Sequence, residues 1–97
     1  MLTSKQRSYL KGIANTMDPV THIGKDGISE GFLKQLDDIL EAREIVKVNI
    51  QKNSILDTKE AANEVAELTN SEFVQAIGRK FVLYREAKED PQIELPK

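Results

Sequence analysis

Three stretches of the chain repeat apolar residues at the spacing of one helix face. They cover residues 10–17, 32–40 and 61–68. This periodicity predicts three amphipathic helices. A residue type that favours the helix N-cap precedes each stretch, namely Thr3, Ser29 and Asp57. We expect the first helix over residues 4–15 and the second to begin at Ser29 and end near residue 42.

Four short stretches have the composition of β-strands. The sequence VTHI is rich in β-branched residues, and IVKVNIQ alternates apolar with polar residues. Both features favour strands. Two further apolar stretches, EFVQAI and KFVLYR, flank Gly78 and Arg79. The Gly-X pair predicts a β-hairpin, because glycine adopts the positive φ of a type II′ turn.

The predicted elements follow the order α-β-α-β-α-β-β, which indicates an α/β (α+β) fold with three helices packed on a mixed four-stranded sheet. The unit over residues 20–51 should be a right-handed crossover between parallel strands, and the hairpin adds an antiparallel pair. The last residues are charged and contain two prolines. We therefore expect one domain over residues 1–86 and a flexible charged tail over residues 87–97.

Composition narrows the classes of protein. The chain has 97 residues and no cysteine, which excludes disulfides and thiolate metal sites. No apolar segment approaches the roughly 20 residues that span a membrane, and the start lacks the apolar region of a signal peptide. We therefore expect a cytoplasmic location. The net charge is −2, but residues 1–36 carry five cations and three acids, leaving the remainder acidic.

Two glycines spaced G-x-x-G lie between the first predicted strand and the second helix. Gly24 and Gly27 have two interpretations. They could simply supply the positive φ of a turn. They could also let another backbone approach, with helix N–H groups and Lys25 attracting phosphate. The spacing lacks the pattern of nucleoside-triphosphate and dinucleotide loops, and it resembles the loop with which KH domains hold single-stranded nucleic acid.

Few residues suggest catalysis or metal binding. His22 is the single histidine, without the further ligands of a zinc site or the partners of a general base. We expect the acids of the second and third helices on exposed faces, where they interact with solvent: Asp37, Asp38, Glu41, Glu44, Glu60, Glu64 and Glu67. We also expect the phenylalanines in the core. The sequence therefore predicts no enzyme, no metal, no cofactor and no small-molecule substrate.

Four segments resemble the CRM domain, and more narrowly the bacterial stand-alone YhbY-type ribosome-maturation proteins. They are LTSKQRSYLKGIA, VTHIGKDGISEGFLKQLDDIL, EIVKVNI and IGRKFVLYR. They stand in the family's order from about residue 2 to residue 85, and the closing G-x-x-x-x-L-Y-R pattern adds specificity. The resemblance implies a fold similar to the C-terminal domain of bacterial initiation factor three. It also implies RNA binding and association with precursors of the large ribosomal subunit.

The resemblance places RNA contacts on the loop and on the basic first helix, at Gly24, Lys25, Asp26, Gly27, Lys5, Arg7 and Lys11. Tyr9, between two of these cations, is the aromatic residue best placed to touch a base. Arg79 and Lys80 at the hairpin either extend the basic surface or keep it soluble. Asp26 either faces RNA, where it would repel phosphate, or caps the second helix.

These residues predict one electropositive surface, formed by the first helix and the loop, that positions RNA through its phosphates. We expect a monomer that binds RNA, in the form of precursor large-subunit rRNA or a pre-ribosomal particle, and that does not bind membranes. The alternative is a protein-interaction module. In that case the acidic helices bind a basic ribosomal protein or assembly factor, and the glycines only turn the chain.

Overall fold

The computed structural model describes residues 2–97 of the chain. Within them, three helices and four strands follow one another as α1 (Ser4–Ala14), β1 (Thr21–Ile23), α2 (Glu30–Arg43), β2 (Ile45–Ile50), α3 (Thr58–Thr69), β3 (Glu72–Ile77) and β4 (Lys80–Tyr84). The element order and the fold class predicted from the sequence are confirmed.

Each helix begins at the N-cap residue that the sequence indicates. Thr3 accepts a hydrogen bond from the Gln6 N–H at 3.1 Å, and the Gln6 side chain accepts one from the Thr3 N–H at 3.0 Å. Ser29 and Asp57 cap α2 and α3 through their side-chain oxygens. Because the first N–H groups of a helix lack partners within it, these caps set where the helices begin.

The four strands form one sheet in the order β1-β2-β4-β3. β1 and β2 are parallel, as predicted for strands joined through a helix, and β4 is antiparallel to both β2 and β3. The C-terminal ends of β1 and β2 and the β3–β4 turn therefore meet at one end of the sheet, where the strands terminate. We call this end the loop edge, and it consists of residues 24–27, 51–57 and 78–79.

Helices cover the two faces of the sheet unequally. α2 and α3 pack on one face, where the buried residues of the helices meet Val48 and Phe81. On the other face, α1 packs against β2 and β3 and buries Val82 and Tyr84, which lie away from the loop edge. His22 and other residues of this second face that lie nearer the loop edge are exposed or partly exposed. The second face therefore has an apolar covered half and a polar open half.

The closing L-Y-R residues, which end β4 and follow it directly, make structural contacts. Leu83 and Tyr84 are buried. Arg85 donates to Asp37 Oδ1 at 2.6 Å and to the Thr69 carbonyl at 2.9 Å. Arg85 therefore joins α2 to the end of α3, and this motif holds the helices on the sheet.

Glu44, which the sequence analysis expects on an exposed face, is fully buried. Its Oε2 accepts a hydrogen bond from the Ala87 N–H at 2.8 Å, and its Oε1 accepts from the N–H groups of Gln92 and Ile93 at 2.6 and 2.8 Å. Burial acts to raise the pKa of this carboxyl, but the three donors outweigh it and lower the pKa below 4.5. The expectation for Glu44 is wrong because a distant segment folds over it.

Residues 87–97 contain no helix or strand, yet they contact the domain. Ile93 and Leu95 pack against the apolar cluster beneath α1. Near the end of the segment, the Pro96 carbonyl accepts a hydrogen bond from the Gln6 side chain at 3.0 Å. These contacts place the segment beside α1 and β4, and its flexibility stays a prediction.

Candidate nucleic-acid interface

The residues from Gly24 to Gly27 form a tight turn directly after β1. The Gly27 N–H donates to the Gly24 carbonyl at 3.1 Å, which puts Lys25 and Asp26 at the two central positions. Both central side chains are exposed. The turn therefore lies open to solvent, and another chain can approach its backbone.

The two glycines have different local causes. Gly27 has a φ of +72°, which L side chains rarely adopt, although a Cβ there would meet no atom within 4 Å. A Cβ on Gly24 would lie 3.0 Å from Gln51 Oε1, at the end of a flexible side chain. Turn geometry and this close approach explain why glycines stand here, and the exposure of the turn makes it accessible as well.

Asp26 does not cap α2, because Ser29 occupies the N-cap and accepts the Phe32 N–H. Of the two roles considered for Asp26, helix capping is therefore excluded. Glu30 lies in the first turn of α2 and opposes the attraction of the helix start for anions. Lys25 is the cation that the turn itself presents.

The cations of α1 point to two sides of the helix. Arg7 and Lys11, one turn apart, line a groove of about 530 Å³ against β3, and Arg7 Nε donates to the Phe73 carbonyl at 3.4 Å. Lys5 and Tyr9 are also one turn apart, but two residues along a helix correspond to a rotation of about 200°. Tyr9, with 45% of its surface exposed, therefore lies on a different side of α1 from Arg7 and Lys11.

The turn and the groove lie at the two edge strands of the sheet, β1 and β3. The turn follows β1 and the groove lies along β3, with β2 and β4 between them. At about 4.8 Å between neighbouring strands, three spacings separate β1 from β3 by about 14 Å. The turn and the groove are therefore separated by two strands, and the open half of the sheet face lies between them.

Two lysines that the sequence analysis did not select lie in the same region. Lys59 lines the groove together with the two α1 cations. Lys47 lines an adjoining cleft of about 190 Å³ with Lys80, and no lining residue of the groove or the cleft is acidic. The alternation of β2 already assigns Lys47 to its polar face, whereas no pattern in the sequence places Lys59 beside β3.

Arg79 and Lys80 have different environments. The Arg79 guanidinium donates to the backbone carbonyls of Ile50, Gln51 and Ser54 at 3.0, 2.6 and 3.0 Å. These bonds hold the β2–α3 loop against the hairpin. Lys80 is exposed at the start of β4. Of the two, Lys80 is therefore the cation that remains directed to solvent.

A group of acidic residues lies on α2, which covers the opposite face of the sheet. Asp37, Asp38 and Glu41 line a cleft there with Arg85 and Lys88. The sheet therefore separates the α2 acids from the groove beside β3 and from the cleft that contains Lys47 and Lys80.

The described residues, 2–97, offer no cluster of histidine and acidic side chains that could hold a metal ion. Over the same residues, no helix has the length and apolar character needed to cross a membrane.

The chain is similar to known proteins over nearly its whole length. Residues 2–85 match the model of the CRS1 / YhbY (CRM) domain family. "Probable RNA-binding protein YqeI" of Bacillus subtilis is 41% identical over 96 residues, which cover 99% of this chain and 100% of that protein. An RNA-binding protein of Haemophilus influenzae is 35% identical over 97 residues, which cover 99% and 96% of the two chains.

A solved structure has the same fold. The solution structure of the hypothetical protein SAV1595 from Staphylococcus aureus matches with a TM-score of 0.83 and 51% sequence identity, covering 99% of this chain and 100% of that one. The Bacillus and Haemophilus relatives are named for RNA binding and not for an enzymatic activity. From the family match, the relatives and the shared fold together, we conclude that the chain belongs to the CRS1 / YhbY (CRM) domain family.

Proposed function

We propose that this protein binds RNA in the cytoplasm and assists maturation of the large ribosomal subunit, acting as a monomer on precursor rRNA. The names of its relatives support RNA as the partner. The observation that carries the proposal is the solvent-open turn at Gly24–Gly27, beside a sheet face whose groove and cleft are lined by cations and no acids. Such a surface favours a phosphate backbone over a neutral partner.

In this proposal the turn and the cations make different contacts with the RNA. The turn at Gly24–Gly27 allows a sugar-phosphate chain to approach the protein backbone, and Lys25 neutralises a phosphate there. Arg7 and Lys11 neutralise phosphates beside β3, the edge strand opposite β1. Phosphate contacts fix the position of the RNA and do not distinguish bases.

Sedimentation with ribosomal particles tests this proposal. We expect a Lys25→Ala/Lys11→Ala variant to dissociate from precursor particles of the large subunit at a salt concentration that retains the unmodified protein. Lys88→Ala is the matched control, since this lysine lies in the acidic cleft on α2. Retention of the double variant at the level of the control would contradict the proposal.

The alternative function places a basic protein partner on the acidic helices. Internal contacts already engage Asp37, Glu41 and Glu44, whereas Glu60 and Glu64 are exposed. The variant Glu60→Gln/Glu64→Gln therefore tests this alternative in the same sedimentation experiment. Release of this variant, with retention of the lysine variant, would favour protein binding over RNA binding.

A further inference from the structure

One row of side chains crosses the open half of the sheet from the edge strand β1 to the edge strand β3. His22 pairs with Asn49 between β1 and β2, Asn49 pairs with Lys80 between β2 and β4, and Lys80 pairs with Ile77 between β4 and β3. Directly paired residues in a sheet project to the same face. The four residues therefore form a continuous row, to which each strand contributes one side chain. We call it the cross-strand row.

The row faces solvent and not α1. Val82 and Tyr84, on the same face but farther from the loop edge, are the residues that α1 buries. In contrast, His22 and Lys80 are exposed, Asn49 is partly exposed and Ile77 retains 67% of its surface. An exposed isoleucine beside a lysine, an amide and an imidazole gives this strip an apolar surface, a charge and hydrogen-bonding groups.

The ends of the row connect the two parts of the proposed RNA-binding surface. At the β1 end, His22 lies two residues before Gly24, where the exposed turn begins. At the β3 end, Ile77 lines both the groove that contains Arg7 and Lys11 and the cleft that contains Lys80. A chain that contacts both the turn and the groove by the shortest route therefore passes over the cross-strand row.

We propose that single-stranded RNA crosses the sheet along the cross-strand row and that His22, Asn49 and Ile77 contact its bases. This inference rests on the proposed function and adds base recognition to it. Lys80 neutralises a phosphate in the middle of the path. A four-stranded sheet is wide enough for two or three bases, as in RRM domains, which stack bases on such a face.

The side chains of the row suit unstacked bases. His22 Nδ1 lies 3.4 Å from Asn49 Nδ2, and in the tautomer with its proton on Nε2 the imidazole accepts a hydrogen bond from the amide at Nδ1. The Asn49 oxygen and its second N–H, together with His22 Nε2–H, then remain for base edges. An asparagine amide can donate to and accept from one base, and the exposed Ile77 offers an apolar surface to a base plane.

RNA fits this surface better than an acidic peptide. A peptide that extended the sheet would pair with the outer edge of β1 or β3, whereas the cross-strand row stands on the face, where no backbone group is free to pair. An acidic peptide would also leave the amide and imidazole groups without the base edges that match them.

Fluorescence anisotropy with short labelled homopolymers of adenylate, cytidylate and uridylate tests the inference. We expect Asn49→Ala to weaken binding to the preferred homopolymer by about fivefold or more, to bring the three affinities closer, and to leave the salt dependence unchanged. His22→Ala and Ile77→Ser should weaken all three homopolymers. Lys80→Ala should weaken all three equally and reduce the salt slope by about 0.7.

Asn63→Ala, on the exposed side of α3, is the matched amide control and should bind like the unmodified protein. Circular dichroism checks that each variant is folded, and the exposed His22 and Ile77 positions provide variants that do not disturb the interior. If Lys25→Ala weakens binding while His22→Ala, Asn49→Ala and Ile77→Ser do not, the path over the row is wrong and the proposed function stands. If the unmodified protein binds neither homopolymers nor ribosomal particles, both fail.

Discussion

The Glu44 carboxylate accepts a hydrogen bond from the Ile93 N–H at 2.8 Å, which ties the end of α2 to a position 49 residues later in the chain. The N–H groups of Ala87 and Gln92 donate to the same carboxylate. Hydrogen bonds to an ionised acceptor are stronger than neutral ones. Glu44 is therefore one of the anchors that hold residues 87–97 against the domain.

Replacing Glu44 with glutamine should destabilise the domain. The amide would keep one oxygen acceptor and replace the other with an NH2 group, so either the Ala87 N–H or the N–H groups of Gln92 and Ile93 would lose their acceptor. This loss should cost about 2–4 kcal/mol in the free energy of unfolding. Urea unfolding measures this loss, and Glu67→Gln at an exposed position of α3 is the control. Equal stability of the two variants would show that the carboxylate does not anchor the segment.

Stability should also fall in acid because of the same group. Burial acts to raise the pKa of Glu44, but its three N–H donors lower it below 4.5 overall, and the N–H groups of Lys88 and Glu89 lower the pKa of Glu41. The unfolded chain therefore binds protons at a higher pH than the folded chain does. The stability that these two carboxylates contribute is present above their ordinary pKa and is lost as the pH falls through the lowered pKa values.

Urea midpoints measured across this acidic range test the pH dependence. The Glu44→Gln variant should lose less stability on acidification than the unmodified protein, since one of the two titrating groups is absent. An identical acid profile for both proteins would assign the pH dependence to other groups.

The two glycines of the exposed turn should respond differently to alanine. Gly27→Ala places a side chain at a φ of +72° and should cost about 1–2 kcal/mol of stability. Gly24→Ala should cost less, because only the flexible end of Gln51 must move. Thermal unfolding of both variants measures the difference, and a larger loss for Gly24→Ala would contradict this account of the turn.

Affinity for single-stranded RNA should fall steeply with salt. Each neutralised phosphate contributes about −0.7 to the slope of log affinity against log salt, so about four to six contacts give a slope of about −3 to −4. Anisotropy titrations at several salt concentrations measure this slope. A slope near zero would exclude binding through the cations of α1, the turn and β4.

Local patterns predicted the fold because the deciding interactions are local. Ser29 caps the helix that follows it, and the alternation of β2 correctly assigns Val48 to the core and Lys47 to the polar face. The burial of Glu44 was not predicted, because it depends on a segment far along the chain. Lys59 lies beside β3 through packing of α3, which periodicity does not reveal.

Predictions about the candidate site were limited in the same way. The sequence identified the exposed turn, because glycine spacing is a local signal. It did not reveal that β2 and β4 separate this turn from the groove beside α1, because strand order depends on the tertiary fold. The side chains in that gap, including His22 and Asn49, become candidates once the strand register is known.

Gln51, the first residue of the β2–α3 loop, also contacts the other two loops of the loop edge. Its N–H donates to the Ile23 carbonyl at 2.9 Å, its carbonyl accepts from Arg79, and its side-chain oxygen lies next to Gly24. The Ser54 N–H in turn donates to the Gln51 carbonyl at 3.0 Å. A ligand that stiffens the glycine turn should therefore slow hydrogen–deuterium exchange at the Ser54 amide, so that an interior position reports on occupancy of the surface.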